Sequence, residues 1–405
     1  MQLNCKSVLL YKKIMIERQL AYIAKKLFTK FPVLSITGPR QSGKTTLIKN
    51  LFPKMAYVSL ENPSERQFAI NDPKGFLSNY PNGAILDEVQ RTPELFSYIQ
   101  TIVDENNKAG QFILSGSQNF LLLEKISQSL AGRVAVLKLL PFSILELQKA
   151  NLFSENYQKL IFTGFYPAIF SHKIESRYFY QNYIQTYIER DVRTLKNIGN
   201  LNNFIKFLQL CAGRTGQILN YSSLANDCDI SVNTVKSWLS VLESSYIIFL
   251  LQPHYKNFNK RLIKMPKLYF YDIGLASSLL KIDNEQQIQS HYLFGNLFEN
   301  FIISEFQKYY YNSGLMSSIY FWCDNKGKEI DLIIEKADKL IPVEIKSGKT
   351  FSLDYFKNVK YFNKLAGNSP QNSYVVYGGK ENHNTSEGKV ISWKKLIDLF
   401  QEVIK

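Results

Sequence analysis

At 405 residues with 45% apolar side chains, the chain has room for two or three domains with packed cores. No apolar run approaches the roughly 18–20 residues of a membrane span, and the apolar stretch in MQLNCKSVLLYKK is shorter than the roughly 7–15-residue core of a signal peptide. A soluble cytoplasmic protein with no membrane partner is expected. The four cysteines (Cys5, Cys211, Cys228, Cys323) contain no C-x-x-C pair and the four histidines are scattered, which argues against a zinc site or a disulfide framework. The net charge of +15 and pI near 9.3 fit a nucleic-acid partner, although a low-GC genome rich in Lys, Asn, Ile and Tyr codons gives the same balance.

The first informative element is the run VLSIT at 33–37, a buried strand by its apolar character and its bounding Pro32 and Gly38. Gly38-Pro39-Arg40-Gln41-Ser42-Gly43-Lys44-Thr45-Thr46 follows and contains a complete G-x-x-x-x-G-K-[ST] match. Apolar residues at helical spacing come next. Strand, glycine loop and helix are the frame in which such a loop turns its amides and a helix N-terminus toward phosphate. Lys44 then reaches the β- and γ-phosphates of ATP, and Thr45 ligates Mg²⁺.

Next, Ala84–Leu86 reads as a strand ending in Asp87-Glu88. With a phosphate loop upstream, Asp87 is the candidate Mg²⁺ partner and Glu88 the residue that polarises the attacking water. A further apolar strand in QFILSGSQNFL (111–121) ends in Ser115, Ser117 and Gln118, candidates to contact the γ-phosphate or the water. Arg133, in SLAGRV, reads as an arginine finger, a phosphate sensor or a surface arginine.

These motifs resemble the AAA-type P-loop ATPases of bacteria and archaea. The resemblance runs from ERQLAYIAKKL through the loop, LEN, ILDEVQR, LSGSQ, LAGR and LPFSILEL. It continues in GFYPAI (164–169), ERDV (189–192), YFYDIGL (269–275), ENFI (299–302) and EIDLII…VEIK (329–346), so it covers nearly the whole chain. The group with this C-terminal half is widespread and has no assigned activity. The resemblance implies a parallel sheet in which the phosphate-loop strand is flanked by the strands ending in DE and SGSQ. It also raises a homo-oligomer, since AAA-type proteins often form rings. Members commonly begin near MIERQL, so residues 1–14 read as an extension or an early start.

Residues 151–200 read as helical and aromatic-rich, with Tyr183, Ile184, Tyr187, Ile188 and Val192 near helical spacing. This suits a packing helix between domains, or with Arg190 and Asp191 a contact to a neighbour's ATP site. Helices at 203–211 and 221–227, a turn at 228–230, Ser231 as N-cap and a strand at 246–251 then give a winged helix-turn-helix order. Val235, Trp238, Leu239 and Leu242 mark its buried face, and Asn233, Lys236, Ser237 and Ser240 an outward face able to enter a DNA major groove. Lys256, Lys260, Arg261, Lys264 and Lys267 form a basic cluster suited to phosphate contacts. Winged helices serve equally as protein-interaction modules.

A second SGKT, at 347–350, has Val343 where a phosphate loop needs glycine, so it is not a second loop of that kind. Just upstream, Asp331 begins one strand and Glu344 and Lys346 share a face of the next. With Glu299 on a preceding helix, this is the D-x(n)-E-x-K arrangement of restriction-endonuclease-like nucleases, where carboxylates hold Mg²⁺ and the lysine assists. Such domains are also found as non-cutting modules.

The expectation is therefore an α/β chain. It comprises an extension (1–16), an AAA-type ATPase domain (17–150), a helical connector (151–200), a winged helix (201–285) and a restriction-endonuclease-like domain (286–405). It is an ATP-hydrolysing motor or switch acting with DNA, or alternatively an ATP-controlled protein-interaction switch with a non-catalytic C-terminal domain. An inert relic is disfavoured, because Lys44, Thr45, Asp87 and Glu88 are all present.

Overall fold

A computed structural model describes residues 16–117, 128–192, 200–255, 264–337 and 339–404, with the backbone alone at 189–192. The first sheet has strands β1 (Val33–Thr37), β2 (Ala56–Ser59), β3 (Ala84–Asp87), β4 (Phe112–Gly116) and β5 (Val134–Lys138), in the order β2-β3-β4-β1-β5. All four pairings are parallel. β1, β3 and β4 are buried at every position, as near-continuous apolar strands covered on both faces should be. One face packs on Leu95, Phe96 and Ile99 of the helix Leu95–Asn106. The other packs on Leu20 and Ala24 of Leu20–Phe28 and on Leu47 and Ile48 of Lys44–Leu51.

The strand order corrects one expectation. β1 is flanked by β4 and β5, and the DE strand β3 lies one place farther out. The acidic pair still faces the phosphate loop, because every strand runs the same way and ends at the same edge.

Short helices Tyr157–Thr163, Pro167–Ser171 and Ser176–Tyr183 lead into a π-helical segment, Ile184–Val192. Tyr183, Tyr187 and Ile188 are buried, so this segment packs as the spacing suggests. Helices Leu201–Ala212, Tyr221–Cys228 and Val232–Ser244 follow, then an antiparallel ribbon of β6 (Ile248–Leu251) and β7 (Lys267–Phe270). Ser231 caps the third helix by accepting from the Thr234 N–H. Val235, Trp238, Leu239 and Leu242 form its buried face, with the Trp238 ring 5.3 and 5.2 Å from those of Phe204 and Phe207.

The second large sheet contains β8 (Ile319–Cys323), β9 (Glu329–Lys336), β10 (Lys339–Lys346), β11 (Tyr374–Tyr377), β12 (His383–Thr385) and β13 (Gly388–Ser392), ordered β12-β13-β11-β10-β9-β8. β8, β9 and β10 form an antiparallel meander, while β10, β11 and β13 are parallel. The long helix Phe294–Asn312 covers one face and Lys357–Ala366 the other. One apolar core runs unbroken from Leu140 through the three-helix unit to Val403. Among the described residues, no helix is long and apolar enough to cross a membrane.

Candidate nucleotide site

Gly38 and Gly43 shape the loop after β1. Gly38 has φ of 151°, and a Cβ there would lie 2.1 Å from the Leu139 carbonyl oxygen. Gly43, at φ of 93°, is the left-handed residue that starts the helix Lys44–Leu51. Lys44 is buried, and its Nζ donates to the Gly38 and Pro39 carbonyls at 2.9 Å each. Burial holds its pKa down near 8, against the opposing pull of Glu88 and Asp87.

Asp87 is held by hydroxyls from three elements. Thr45 Oγ1 and Tyr57 OH donate to its Oδ2 at 2.8 Å each, and Ser115 Oγ donates to Oδ1. Ser115 thus orients Asp87 rather than reaching outward. Its partner Tyr57 was not evident from sequence, because nothing in AYVS marks one hydroxyl above another. Thr45 and Asp87 present hard oxygens to the same point beside the loop, the donor type Mg²⁺ prefers.

Glu88 takes a left-handed conformation at φ of 58°, uncommon for a non-glycine residue and worth a functional reading. Ser117 Oγ donates to its Oε2 at 3.3 Å, and Gln90 Nε2 donates to the same oxygen. Lys44, Thr45, Asp87, Glu88 and Ser117 are thus gathered at one edge of the sheet. Gln118 lies outside the described residues.

Arg133 is elsewhere. It immediately precedes β5, and its carbonyl accepts from Val33 N–H at the start of β1, the edge opposite the loop. Its guanidinium forms a two-pronged ion pair with Asp104, Nη2 to Oδ2 being 2.8 Å. A group a whole strand length away does not sense phosphate in this chain's own site, which leaves a surface arginine or a finger for a neighbouring copy.

The loop borders a cleft of about 900 Å³ whose opposite wall includes Ile16, Phe142, Pro167 and His172. Arg18 ties the walls together. It donates to the Ser42 carbonyl at 2.8 Å, to the Leu140 carbonyl at 2.6 Å and to Glu146 Oε1 at 3.0 Å. Glu146 also closes a capping box with Ser143 at the helix Ile144–Lys149. The S-x-x-E spacing in SILE was a legible signal for that cap; the arginine partner 128 positions away was not.

The second acidic cluster differs from its sequence reading. The β9–β10 register pairs Val343 with Leu332, which sets Glu344 opposite Asp331. Lysines, however, occupy the space among the carboxylates. Lys346 Nζ is 2.6 Å from Glu344 Oε1 and 3.6 Å from Asp331 Oδ2. Lys267 Nζ is 2.9 Å from Glu299 Oε1 and also pairs with Glu329. Asp331 Oδ2 accepts from Ile345 N–H at 2.7 Å, and Glu299 accepts from Tyr269 OH at 2.5 Å. Burial raises the Glu344 carboxyl to about 8 and that of Glu299 to about 7, with Asp331 adding repulsion. Burial works against the Lys346 charge, yet Asp331 and Glu344 outweigh it and its pKa lies above the ordinary lysine value. Among the described residues, no group of three or more His, Cys, Asp or Glu is arranged to hold a metal ion. Glu299, Asp331 and Glu344 with Lys346 are thus part of a buried charge network that also includes Lys267. Lys267 is no phosphate contact, being 2% exposed and ion-paired. Lys264 is exposed, and Lys256, Lys260 and Arg261 lie outside the described residues, as do the side chains of Arg190 and Asp191.

Residues 30–148 match an AAA domain model. Residues 154–286 and 294–396 match two domains of unknown function, DUF8612 and DUF4143. These matches support an AAA-type ATPase family without an assigned biological role, and with it ATP binding and hydrolysis. Uncharacterized protein Rv2008c of Mycobacterium tuberculosis is 28% identical over 343 residues, 83% of this chain and 75% of that protein. Uncharacterized protein MJ1637 of Methanocaldococcus jannaschii is 23% identical over 214 residues, 52% of this chain and 44% of its own length. Among solved structures, the Walker-type ATPase PABY2304 of Pyrococcus abyssi aligns at 15% identity with a TM-score of 0.41, covering 66% of this chain and 97% of that one.

Proposed function

We propose that this chain is a Mg²⁺-dependent ATPase used as a switch, whose nucleotide state is read by its C-terminal half. The observation that carries the reading is the convergence of Lys44, Thr45, Asp87 and Glu88 on one loop edge, with Asp87 aligned by three hydroxyls. Lys44 and the loop amides bind the phosphates, Thr45 and Asp87 hold Mg²⁺, and Glu88 orients the attacking water and accepts its proton. When bound, Mg²⁺ neutralises charge on the β- and γ-phosphate oxygens.

The switch reading rests on contacts between the loop and distant segments. Thr37 Oγ1, one residue before the loop, is 2.6 Å from Tyr246 OH. The Arg40 guanidinium lies 5.5 Å from the Tyr187 ring centroid, and Pro167 borders Gly43. A non-hydrolysable ATP analogue should slow amide hydrogen exchange in helix 232–244 as well as at 38–46. Tyr246→Phe should abolish the first change and keep the second. Exchange beyond residue 150 that ignores the analogue would reject the switch.

A DNA partner is the second reading. The helices Leu201–Ala212, Tyr221–Cys228 and Val232–Ser244 with β6 and β7 support a winged-helix reading, and Asn233, Lys236 and Ser240 are exposed on the third helix. Its one acid, Glu243, is held largely inward. Duplex binding that weakens steeply with salt, and further with Lys236→Ala, is expected; salt-independent binding would count against it. We read the C-terminal sheet as restriction-endonuclease-like. It is non-catalytic in this reading, because each carboxylate of its acidic cluster is already ion-paired with Lys267 or Lys346.

A further inference from the structure

The second SGKT acquires a role once its surroundings are known. It follows β10, and Gly378-Gly379-Lys380 follows the parallel neighbour β11. Carboxyl ends of adjacent parallel strands are where open α/β sheets most often place a ligand. The two loops are built against each other. Gly378 N–H lies 3.0 Å from both the Lys346 and the Gly348 carbonyl oxygens. A Cβ on Gly378 would stand 2.4 Å from the Ser347 oxygen, and one on Gly379 2.1 Å from the Tyr377 ring. Tyr157 OH braces the first loop from the helical connector, donating to the Ser347 carbonyl at 2.9 Å.

These loops line a cleft of about 630 Å³. On one wall the rings of Phe351 and His383 stack at 5.5 Å between centroids and 23° between planes. Across it are the amide side chains of Gln286 and Gln289. Lys349 and Lys380 stand exposed on the loops, and among the described residues neither has an ion pair within 4 Å, Lys349 Nζ lying 5.8 Å from the Tyr157 ring centroid. The acidic groups at the rim are mostly matched: Glu155 is 2.6 Å from Lys394 and Glu381 is 3.5 Å from Lys395. Glu285 remains as a counterweight on the helix side.

We propose that this cleft binds a nucleotide unit, with its base on the Phe351–His383 stack and its phosphate between Lys349 and Lys380. Aromatic platforms beside unpaired lysines are the usual means of holding an unstacked base and its phosphate, and the glutamines offer donors and acceptors to a base edge. The cleft lies apart from the phosphate loop, so the proposal does not depend on the ATPase reading. Two sources share this chemistry: a free mononucleotide and the end of a single-stranded nucleic acid.

The test uses the full chain carrying Lys44→Ala, which weakens phosphate-loop binding, with excess unlabelled ATP·Mg²⁺ shown not to displace the probe. Fluorescence anisotropy would follow labelled thymidine monophosphate and a labelled, 5′-phosphorylated oligothymidylate. Saturable binding of at least one probe is expected, weakened by at least about fivefold in Phe351→Ala and in the pair Lys349→Ala with Lys380→Ala. Both lysines are exposed, so the pair should leave thermal unfolding unchanged. Equal affinity for the two probes assigns a free nucleotide, and binding of the oligonucleotide alone assigns a strand end. Failure of both probes to saturate at millimolar concentration overturns the proposal, as does affinity indifferent to these substitutions.

Discussion

Glu88→Gln should lower kcat for ATP hydrolysis by about 10²–10⁴-fold while leaving ATP affinity within about threefold. Asp87 is enclosed by the hydroxyls of Thr45, Tyr57 and Ser115, whereas Glu88 accepts from one hydroxyl, that of Ser117. Glutamine has the same shape, so it keeps the backbone at φ of 58° and one oxygen acceptor for Ser117 and Gln90. What it lacks is basicity: it can position a water but cannot take its proton. Phosphate release at saturating ATP, beside equilibrium titration with a fluorescent ATP analogue, separates the two effects. A variant that turns over at the parental rate would remove Glu88 from the chemistry. One that loses binding as well would mean the substitution disturbed the loop.

The nucleotide site was legible because its parts are local in sequence. Gly38, Gly43, Lys44 and Thr45 sit within one strand–loop–helix unit, and Asp87-Glu88 and Ser117 sit at strand ends where parallel topology must bring them to one edge. What sequence could not supply was lateral order. Each apolar strand is compatible with several places in the sheet, and the parallel pairings alone put β4 between the loop strand and the DE strand. The same limit left Arg133 open. A glycine-flanked arginine reads alike at either end of a strand, and only pairing with Asp104 shows which end it occupies.

The partners of the acidic cluster were hidden for a different reason. Spacing did place Glu344 opposite Asp331, but spacing is silent about cations arriving from elsewhere. Lys267 comes from the ribbon, 32 positions from Glu299 and 62 from Glu329, and it converts the arrangement into a charge network. It was assigned to a basic surface because neighbouring lysines share its stretch of sequence. Its place in β7, buried beneath the helix Phe294–Asn312, decides otherwise. Coupling contacts such as Thr37 with Tyr246, 209 positions apart, carry no local signal at all.

Lys44→Ala should weaken ATP binding by roughly ten- to a hundredfold, the worth of charge-assisted contacts to the phosphates, and it should also change how binding depends on pH. Burial disfavours the charged amine in the free protein, setting its pKa near 8. Phosphates favour the charged form and lift that value in the complex. Below pH 8 the amine is already protonated, so affinity is level. Above pH 8 each binding event must draw a proton from solvent, and affinity falls by up to about tenfold per pH unit. Folding responds in the opposite sense. The lowered folded value means the unfolded chain holds the proton more tightly, so stability rises as pH climbs from about 8 toward the ordinary lysine value. Replacing Lys44 removes this burden, and the variant should therefore unfold at a temperature no lower than the parent near pH 7 while binding ATP poorly. Calorimetric titrations at several pH values should show a falling affinity for the parent and a flat line for the variant. A variant that keeps parental affinity, or a parent whose affinity ignores pH between 8 and 10, would detach Lys44 from the phosphates.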